Sequence, residues 1–472
     1  MTCDQTQQIK MVLPLLEAPQ VTIGPLLKRL QQVRESGRLD LQMLLYRPHV
    51  VYVSRFHPYI FTHDVQIVLF RDGDAVLFVH AIRARAEEER KAGKLQPGLD
   101  VVVYGGSTGV TLDAALYHQL KQRKGYEAYH DALDRLLVNL GSEADFSGLK
   151  IGIDQADSAG KQTEAMKALF PNAQFQDCTE ATRRALSVLD NHALHNQIIA
   201  AELAQVIYCT VRRAIDEGLP ATMAVIVAET AMRLYQQRYF PDADLAGMPA
   251  IDSVDLYGWS TTIVFGNGGR YQKTEPRALR PGETWTVYII GYVNLVAVEF
   301  SYTGGNNLPD YQANALNDML NMHEKAGAMF CGVIQRNQIY ERTQQYLQAL
   351  GKGYQLADSR IGHGIGPEFH FVGDLHPEDD SVVELWSSGS YEPVLKGIDG
   401  KPMGSLATVF GRTHVMTDKA WQPLTSFDLN PHAVTEPWVI GNVTVEPPNL
   451  SRAAAWRTNF HMFNEICTDG RI

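Results

Sequence analysis

The longest apolar run in the chain, Thr284 to Phe300 (TWTVYIIGYVNLVAVEF), constrains the fold more than any other segment. It falls short of the ~20 residues that a membrane helix needs. It is rich in β-branched and aromatic residues, with Gly291 to Asn294 in its middle. Two strands joined by a turn satisfy that pattern, so the chain is expected to build a sheet in water and to have no membrane partner. Hydrophobic residues make up 45% and charged residues 20% of the 472, which supplies ordinary cores and carries no disorder signature. At ~150 residues per domain this length predicts two or three domains.

Strand-like runs precede the apolar segment: QMLLYRP, HVVYVSRF, VQIVLFRDGDAVLFVHAI and DVVVYGG, with Asp72-Gly73 as a hairpin signal between two of them. Leu26, Leu27, Leu30 and Val33 share one helix face, Tyr117 to Leu140 reads as a helix, and Leu149 to Asp154 reads as a strand. Alternation of this kind predicts an α/β N-terminal domain over 1–175, with helices covering a mixed sheet. From Glu180 to Arg213 the pattern is helical, and Gly218 and Pro220 stop it. A helix over Ala221 to Gln237, Gly- and Pro-rich strands after Ser253, and a long helical stretch from Asp310 to Leu350 predict an α+β domain over 176–425. Residues 426–472 read as a C-terminal extension with no assigned role.

Lys plus Arg is 42 against 53 Asp plus Glu, a net charge of −11. That excludes a general nucleic-acid binder, which needs basic surface to displace counterions. The five cysteines are far apart, with no CxxC pair, which argues against a disulfide framework or a zinc finger and for a reducing cytoplasm. The opening residues MTCDQTQQIK show no basic region followed by an apolar core, so no secretory signal is expected.

The densest polar cluster is Ser359 to Phe371, SRIGHGIGPEFHF, with glycines at 362, 364 and 366 and histidines at 363 and 370. Glycines let the backbone bend and approach a ligand closely, and imidazoles titrate near neutrality. Alone the cluster is a weak signal, because buried histidines satisfied by backbone bonds are common. The segment resembles the GHGIG…HE stretch of the creatinase/aminopeptidase P family, the pita-bread fold. Arg270 to Gly305 resembles the family's strand pair, LQMLLYRPHVVYVSRF its N-terminal signature, and TEATRRALSVLDNHALHNQIIAAELA its entry into the second domain. The likeness covers roughly residues 40 to 420. It implies an α/β N-terminal domain plus an α+β pita-bread domain, and a homodimer.

The resemblance also implies where ligands should be. The metallopeptidases of the family hold two metal ions with two Asp, one His and two Glu. Here the register places Tyr288 at the first Asp, Glu299 eleven residues on at the second, and His363 at the His. The Glu of the family's IEPGIY strand falls on Ser387 within WSSGSY, and the last Glu falls on Gly411 within GRTHVMT. Three of five positions then lack a usable ligand, so neither metal nor any other cofactor is expected. Creatinase and its kin also keep the fold, lose the ligands and cleave C–N bonds without metal. Their proton-shuttle His corresponds to Tyr271, and AVEF at 297–300 resembles their ALER segment, which again singles out Glu299.

The expected function is therefore a metal-independent hydrolase cleaving a C–N bond of a small polar, amino-acid-like molecule such as an amidine, guanidine, urea or cyclic amide. His363 is expected as acid/base, His370 as a substrate or oxyanion contact, and Glu299 as a cation binder or His partner. Tyr271, Tyr288, Ser387, Arg412 and Trp386 are expected to contact substrate, Arg412 through a carboxylate. The bland readings are packed cleft walls for the tyrosines, a core position for Trp386 and a solvated strand end for Arg412. The alternatives are a non-catalytic pita-bread binding protein, a lyase acting on a small zwitterion, and a true metallopeptidase.

Overall fold

The structure is a computed structural model. It describes residues 25–56, 67–71, 74–80, 85–104, 148–154, 172–245, 258–266, 274–395, 408–417, 420–425, 427, 438–440 and 443–445. The helix expected over Tyr117 to Leu140 and most of the expected C-terminal extension lie outside these residues.

The first unit comprises α1 (Pro25–Ser36), β1 (Leu41–Leu44), α2 (Arg47–Ser54), β2 (Ile67–Arg71), β3 (Asp74–His80), α3 (Arg85–Lys91), β4 (Leu99–Tyr104), β5 (Lys150–Ile153) and β6 (Gln174–Asp177). Its sheet runs β4-β3-β2-β1-β5-β6. Pairs β1–β2 and β2–β3 are antiparallel, and β3–β4, β1–β5 and β5–β6 are parallel. This is the mixed sheet that the strand pattern indicates, and Arg71 pairs with Asp74 across the Asp72-Gly73 step. The run HVVYVSRF is not a strand. Pro48 suits a first helical turn, and Oδ1 of Asp154 accepts the Leu45 and Tyr46 N–H groups at 2.5 and 3.1 Å. Val50 and Val53 are buried one turn apart on α2, so tertiary burial overrides the β-branched local preference.

The second unit starts with α4 (Thr179–Ser187), α5 (Asn191–Asp216) and α6 (Ala221–Tyr239). The single helix expected over 180–213 is broken at Val188 to Asp190, where the Asp190 carboxylate caps α5 by accepting the Ala193 N–H at 2.8 Å. Then come β7 (Ser260–Phe265), β8 (Thr284–Val293), β9 (Val296–Gly305), α7 (Asp310–Met329), α8 (Arg336–Ala349), β10 (Gly362–Ile365) and β11 (Ser388–Tyr391). The short pair β12 (Val394–Leu395) and β13 (Thr408–Val409) precedes β14 (Gly411–Met416) and β15 (Trp421–Pro423). The sheet order is β10-β11-β14-β9-β8-β7, with β15 on β14, and every pairing is antiparallel.

The apolar run forms the β8–β9 hairpin as its composition indicates, but the turn sits later than Gly291. It is made by Asn294 and Leu295 at φ 45° and 70°. Gly291 stays in the strand beneath the buried Trp259 ring, which comes within 2.4 Å of where a Cβ would stand.

Because side chains alternate along a strand, this sheet has two faces with different tasks. Phe300, Tyr302 and Phe410 face the helices, and Tyr208 of α5 meets Phe300 and Tyr302 at ring distances of 4.9 and 4.8 Å. Glu299 and Ser301 point the other way, into the hollow of the sheet. The mixed N-terminal sheet followed by this curled sheet and its helices is the pita-bread architecture. No helix among the described residues is long and apolar enough to cross a membrane.

Candidate active site

Strand register brings together residues that are distant in sequence. Ser301 pairs with Tyr288 and with Gly411, Thr413 pairs with Ser390, and Ser390 pairs with His363. Tyr288, Glu299, Ser301, Gly411, Thr413, Ser390, Glu392 and His363 therefore share the hollow face. Thr413 ties two strands there: its hydroxyl accepts the Glu299 N–H at 2.8 Å and donates to the Glu299 carbonyl at 2.9 Å.

At the centre stands His363, 1% exposed. Its Nε2 lies 3.2 Å from Oε2 of Glu299 and 3.5 Å from Oε1 of Glu392, and both carboxyl groups are buried. The other ring nitrogen, Nδ1, is 2.9 Å from the Gly364 carbonyl. A carbonyl only accepts, so Nδ1 carries the proton. Nε2 must then be either protonated or a bare lone pair facing two anions, and it makes no aligned hydrogen bond of its own. Burial lowers the His363 pKa, but the contact and charge of Glu299, with the charge of Glu392, outweigh it and hold the pKa above the ordinary histidine value. The Ser301 and Ser390 hydroxyls on the same face are buried and find no hydrogen-bond partner among the described residues.

His370 stands at the exposed rim, its ring 4.2 Å from that of His363 and nearly perpendicular to it. Crowding by protein atoms, then the positive His363 and Arg360, lowers its pKa, so it is neutral at pH 7. Phe369 covers the His363 ring from a second side at 5.2 Å.

Three sequence expectations are corrected. Ser387 is not at the centre; its hydroxyl donates to the Glu384 carbonyl at 2.6 Å, and Glu392 occupies the place expected for the residue at 387. The sequence carries the signal: Glu392-Pro393 repeats the Glu-Pro step of the IEPGIY motif five residues beyond Ser387. Arg412 does not face the hollow. It lies on the opposite face, 2% exposed, donating to the Thr425 carbonyl and the Glu324 carboxylate at 3.0 Å each and resting on the Phe427 ring. Trp386, in left-handed backbone at φ 66°, packs against the main core, and its N–H donates to the Met416 carbonyl. Tyr288 does lie on the hollow face, while Tyr271 is outside the described residues.

Comparison with known proteins fits this geometry. Residues 195–397 match the profile of metallopeptidase family M24. This chain carries an M24 domain. The prolidase of Pyrococcus furiosus superposes with a TM-score of 0.57 at 15% identity, over 84% of this chain and 99% of its own. The X-Pro aminopeptidase of Thermotoga maritima gives 0.59 at 13% identity, covering 85% and 97%. The N-terminal domain of the FACT complex subunit SPT16 from chickpea gives 0.58 at 12% identity, covering 86% and 95%. Likeness at these identities shows the fold alone. No curated protein sequence matches the chain.

The two-metal centre of the M24 metallopeptidases does not fit these residues. Gly411 has no side chain, and a Cβ there would stand 2.5 Å from Ser301 Oγ and 3.2 Å from Glu392 Cβ, so the room for a fifth ligand is taken. Tyr288 is a neutral phenol where an anion would be needed. One cation is a different matter. Glu299, His363 and Glu392 offer three ligand atoms within 4.8 Å of one another, and the Gly364 carbonyl fixes the tautomer that frees Nε2.

Proposed function

We propose that this M24-domain protein is a hydrolase that cleaves a C–N bond of a small, amino-acid-like molecule carrying an amidine, guanidine, urea or cyclic amide group, and that it does so without metal. The observation that supports this reading is the convergence of two buried carboxylates on one imidazole nitrogen. Two anions focused on one point favour a cation between them. A guanidinium or amidinium meets carboxylates with paired N–H donors.

His363, kept protonated by Glu299 and Glu392, gives its Nε2 proton to the departing nitrogen. Water attacks the carbon and passes its proton to a carboxylate of the pair, so one water is consumed. Where the substrate is a urea or cyclic amide, the Ser301 and Ser390 hydroxyls and the Tyr288 phenol donate to the carbonyl oxygen, which gains charge as water adds. His370, neutral at the rim, contacts substrate. Tyr271 is taken to contact substrate, Trp386 carries no part in this reading, and Arg412 supports the sheet from behind. The protein is taken to act as a cytoplasmic homodimer, with light scattering as the check on the dimer.

A second reading is favoured by the spacing of the same three ligand atoms. A single divalent cation held by Glu299, His363 and Glu392 would polarise the scissile carbonyl.

Elemental analysis of the purified chain, joined to turnover of amidines, ureas and cyclic amides before and after chelation, separates the readings. Turnover that persists without stoichiometric metal is the expected result. One tightly held metal per chain, with turnover lost on chelation, moves the assignment to the single-cation reading. Two metals per chain overturn both. Ligand-induced melting shifts without any turnover favour a non-catalytic binding protein, a role compatible with a fold shared with SPT16.

A further inference from the structure

His370 has no strand to hold it. Residues 366–371 form an irregular bend after β10, tied by the Phe371 N–H to the Gly364 carbonyl at 2.8 Å. Yet the imidazole stands in a defined place against His363, so something outside the bend must fix it. Two groups from elsewhere in the chain grip the bend at Glu368. The Tyr46 hydroxyl, at the start of α2, donates to Oε1, and Arg183 Nη1 of α4 donates to Oε2 at 3.0 Å. The same Arg183 guanidinium lies over the Phe371 ring at 4.7 Å, and the His49 ring meets Phe371 edge-on at 6.1 Å. Glu368 and Phe371 bracket Phe369 and His370, the two residues whose rings touch His363.

The grip is itself anchored. Asp154, fully buried just past β5, accepts the Tyr46 N–H through Oδ1 and pairs with His49 Nδ1 through Oδ2 at 2.9 Å. The Tyr46 and His49 rings pack at 4.9 Å. Burial, then the hydrogen bond to Glu368, holds the Tyr46 phenol far above its ordinary pKa, so it stays a donor at every working pH. A continuous chain of contacts thus runs from the N-terminal sheet through Asp154, α2, Tyr46 and Glu368 to His370.

We propose that Glu368 is a positioning residue, through which Tyr46 and Arg183 set the place of the His370 imidazole over His363, so that Tyr46 brings the N-terminal unit into the active site of its own chain. The inference rests on the reading of His370 as a substrate contact, but its test needs no substrate. Full-length protein carrying labelled histidine rings in a deuterated background is examined by NMR, with His370→Gln identifying the His370 signal. The wild type is expected to show a nuclear Overhauser cross-peak between the His363 and His370 rings. Glu368→Ala and the double variant Tyr46→Phe/Arg183→Met each lose it, and Glu368→Gln, which keeps an oxygen for Tyr46, retains it.

A merely structural tie would lower the melting temperature in these variants and leave the cross-peak in place, and that result overturns the proposal. So does loss of the cross-peak in Glu368→Ala with its retention in the folded double variant. If the double variant does not fold, Arg183→Lys, which keeps the charge with a shorter reach, is measured instead. A weakened cross-peak supports the proposal and an unchanged one refutes it. Absence of hydrolase activity touches none of these outcomes.

Discussion

Arg412→Met separates the two places that Arg412 has been given. If the side chain reached into the hollow to grip a substrate carboxylate, the substitution would weaken ligand binding and leave stability almost unchanged. In the structure the guanidinium is buried on the helix side, and its contacts with Thr425, Phe427 and Glu324 set the expected cost. The charged hydrogen bond to the Thr425 carbonyl contributes ~2 kcal/mol. The cation–π contact with Phe427 adds ~1 kcal/mol. Glu324 is about half exposed, so that ion pair is screened and adds ~0.5 kcal/mol. Methionine keeps the apolar stem and releases the guanidinium from burial, which returns ~1–2 kcal/mol. A net loss of ~2 kcal/mol lowers the melting temperature by roughly 2 °C in a chain of this size. Scanning calorimetry reads the loss, and a melting-shift titration with guanidine and amidine compounds reads binding. A melting temperature within 1 °C of wild type together with weaker binding would refute the two-faced sheet argument.

Three further outcomes follow from the same geometry. Glu392→Gln removes one of the two anions facing His363 and is expected to reduce turnover ~100-fold or more while the far-UV circular dichroism stays native; turnover within a factor of three of wild type would remove Glu392 from the centre. His414 is buried on the helix face, stacked on Trp421, and burial followed by the charge of Arg412 pushes its pKa down to about 3. Its folded pKa lies below the unfolded value of ~6.5, so the unfolded state binds the extra proton and stability is lost as pH falls from there towards 3; melting temperatures measured against pH should fall less steeply in His414→Phe. Gly291→Ala forces a Cβ against Trp259 and is expected to cost ~1–3 kcal/mol, which urea unfolding measures; a neutral result would mean the indole moves aside at no cost.

Much of this architecture is legible in the sequence because period and punctuation carry it. The Asp72-Gly73 hairpin, the strand at Lys150–Ile153 and the split of the 284–300 run into two strands all follow from local residue chemistry. What escapes is decided at a distance. HVVYVS carries strand-like residues, yet becomes helical because Asp154, more than a hundred residues away, accepts the N–H groups at its start. Arg412 reads like a cleft residue until strand parity is known, and parity depends on pairing Gly411 with Ser301. Two of the three central residues, Glu299 and His363, stand out in sequence, whereas Glu392 lies five residues beyond the position that the motif spacing indicates. The Tyr46–Glu368 contact spans 322 positions and has no sequence signature at all.

Restoring Glu392 changes the chemistry that the substitutions permit. With Ser387 in its place the hollow would hold one anion and one imidazole, a pair that neutralises itself. With Glu392 present there are two anions for one imidazole, and even a protonated His363 leaves the centre with a net negative charge. Among the described residues of this face, Ser301, Ser390 and Thr413 carry no charge, and Arg412 lies behind the sheet. Gly411 matters as much by what it withholds. A glutamate there would add a third anion, whereas glycine lets Ser301 and Glu392 close over the space. The residue at 411 thereby sets the charge of the hollow at a level that one small monocation, or one divalent metal with neutral His363, can balance. In the proposed reaction an organic cation carrying its own scissile C–N bond is what meets that requirement, and it brings the reacting atoms to His363 in the same step.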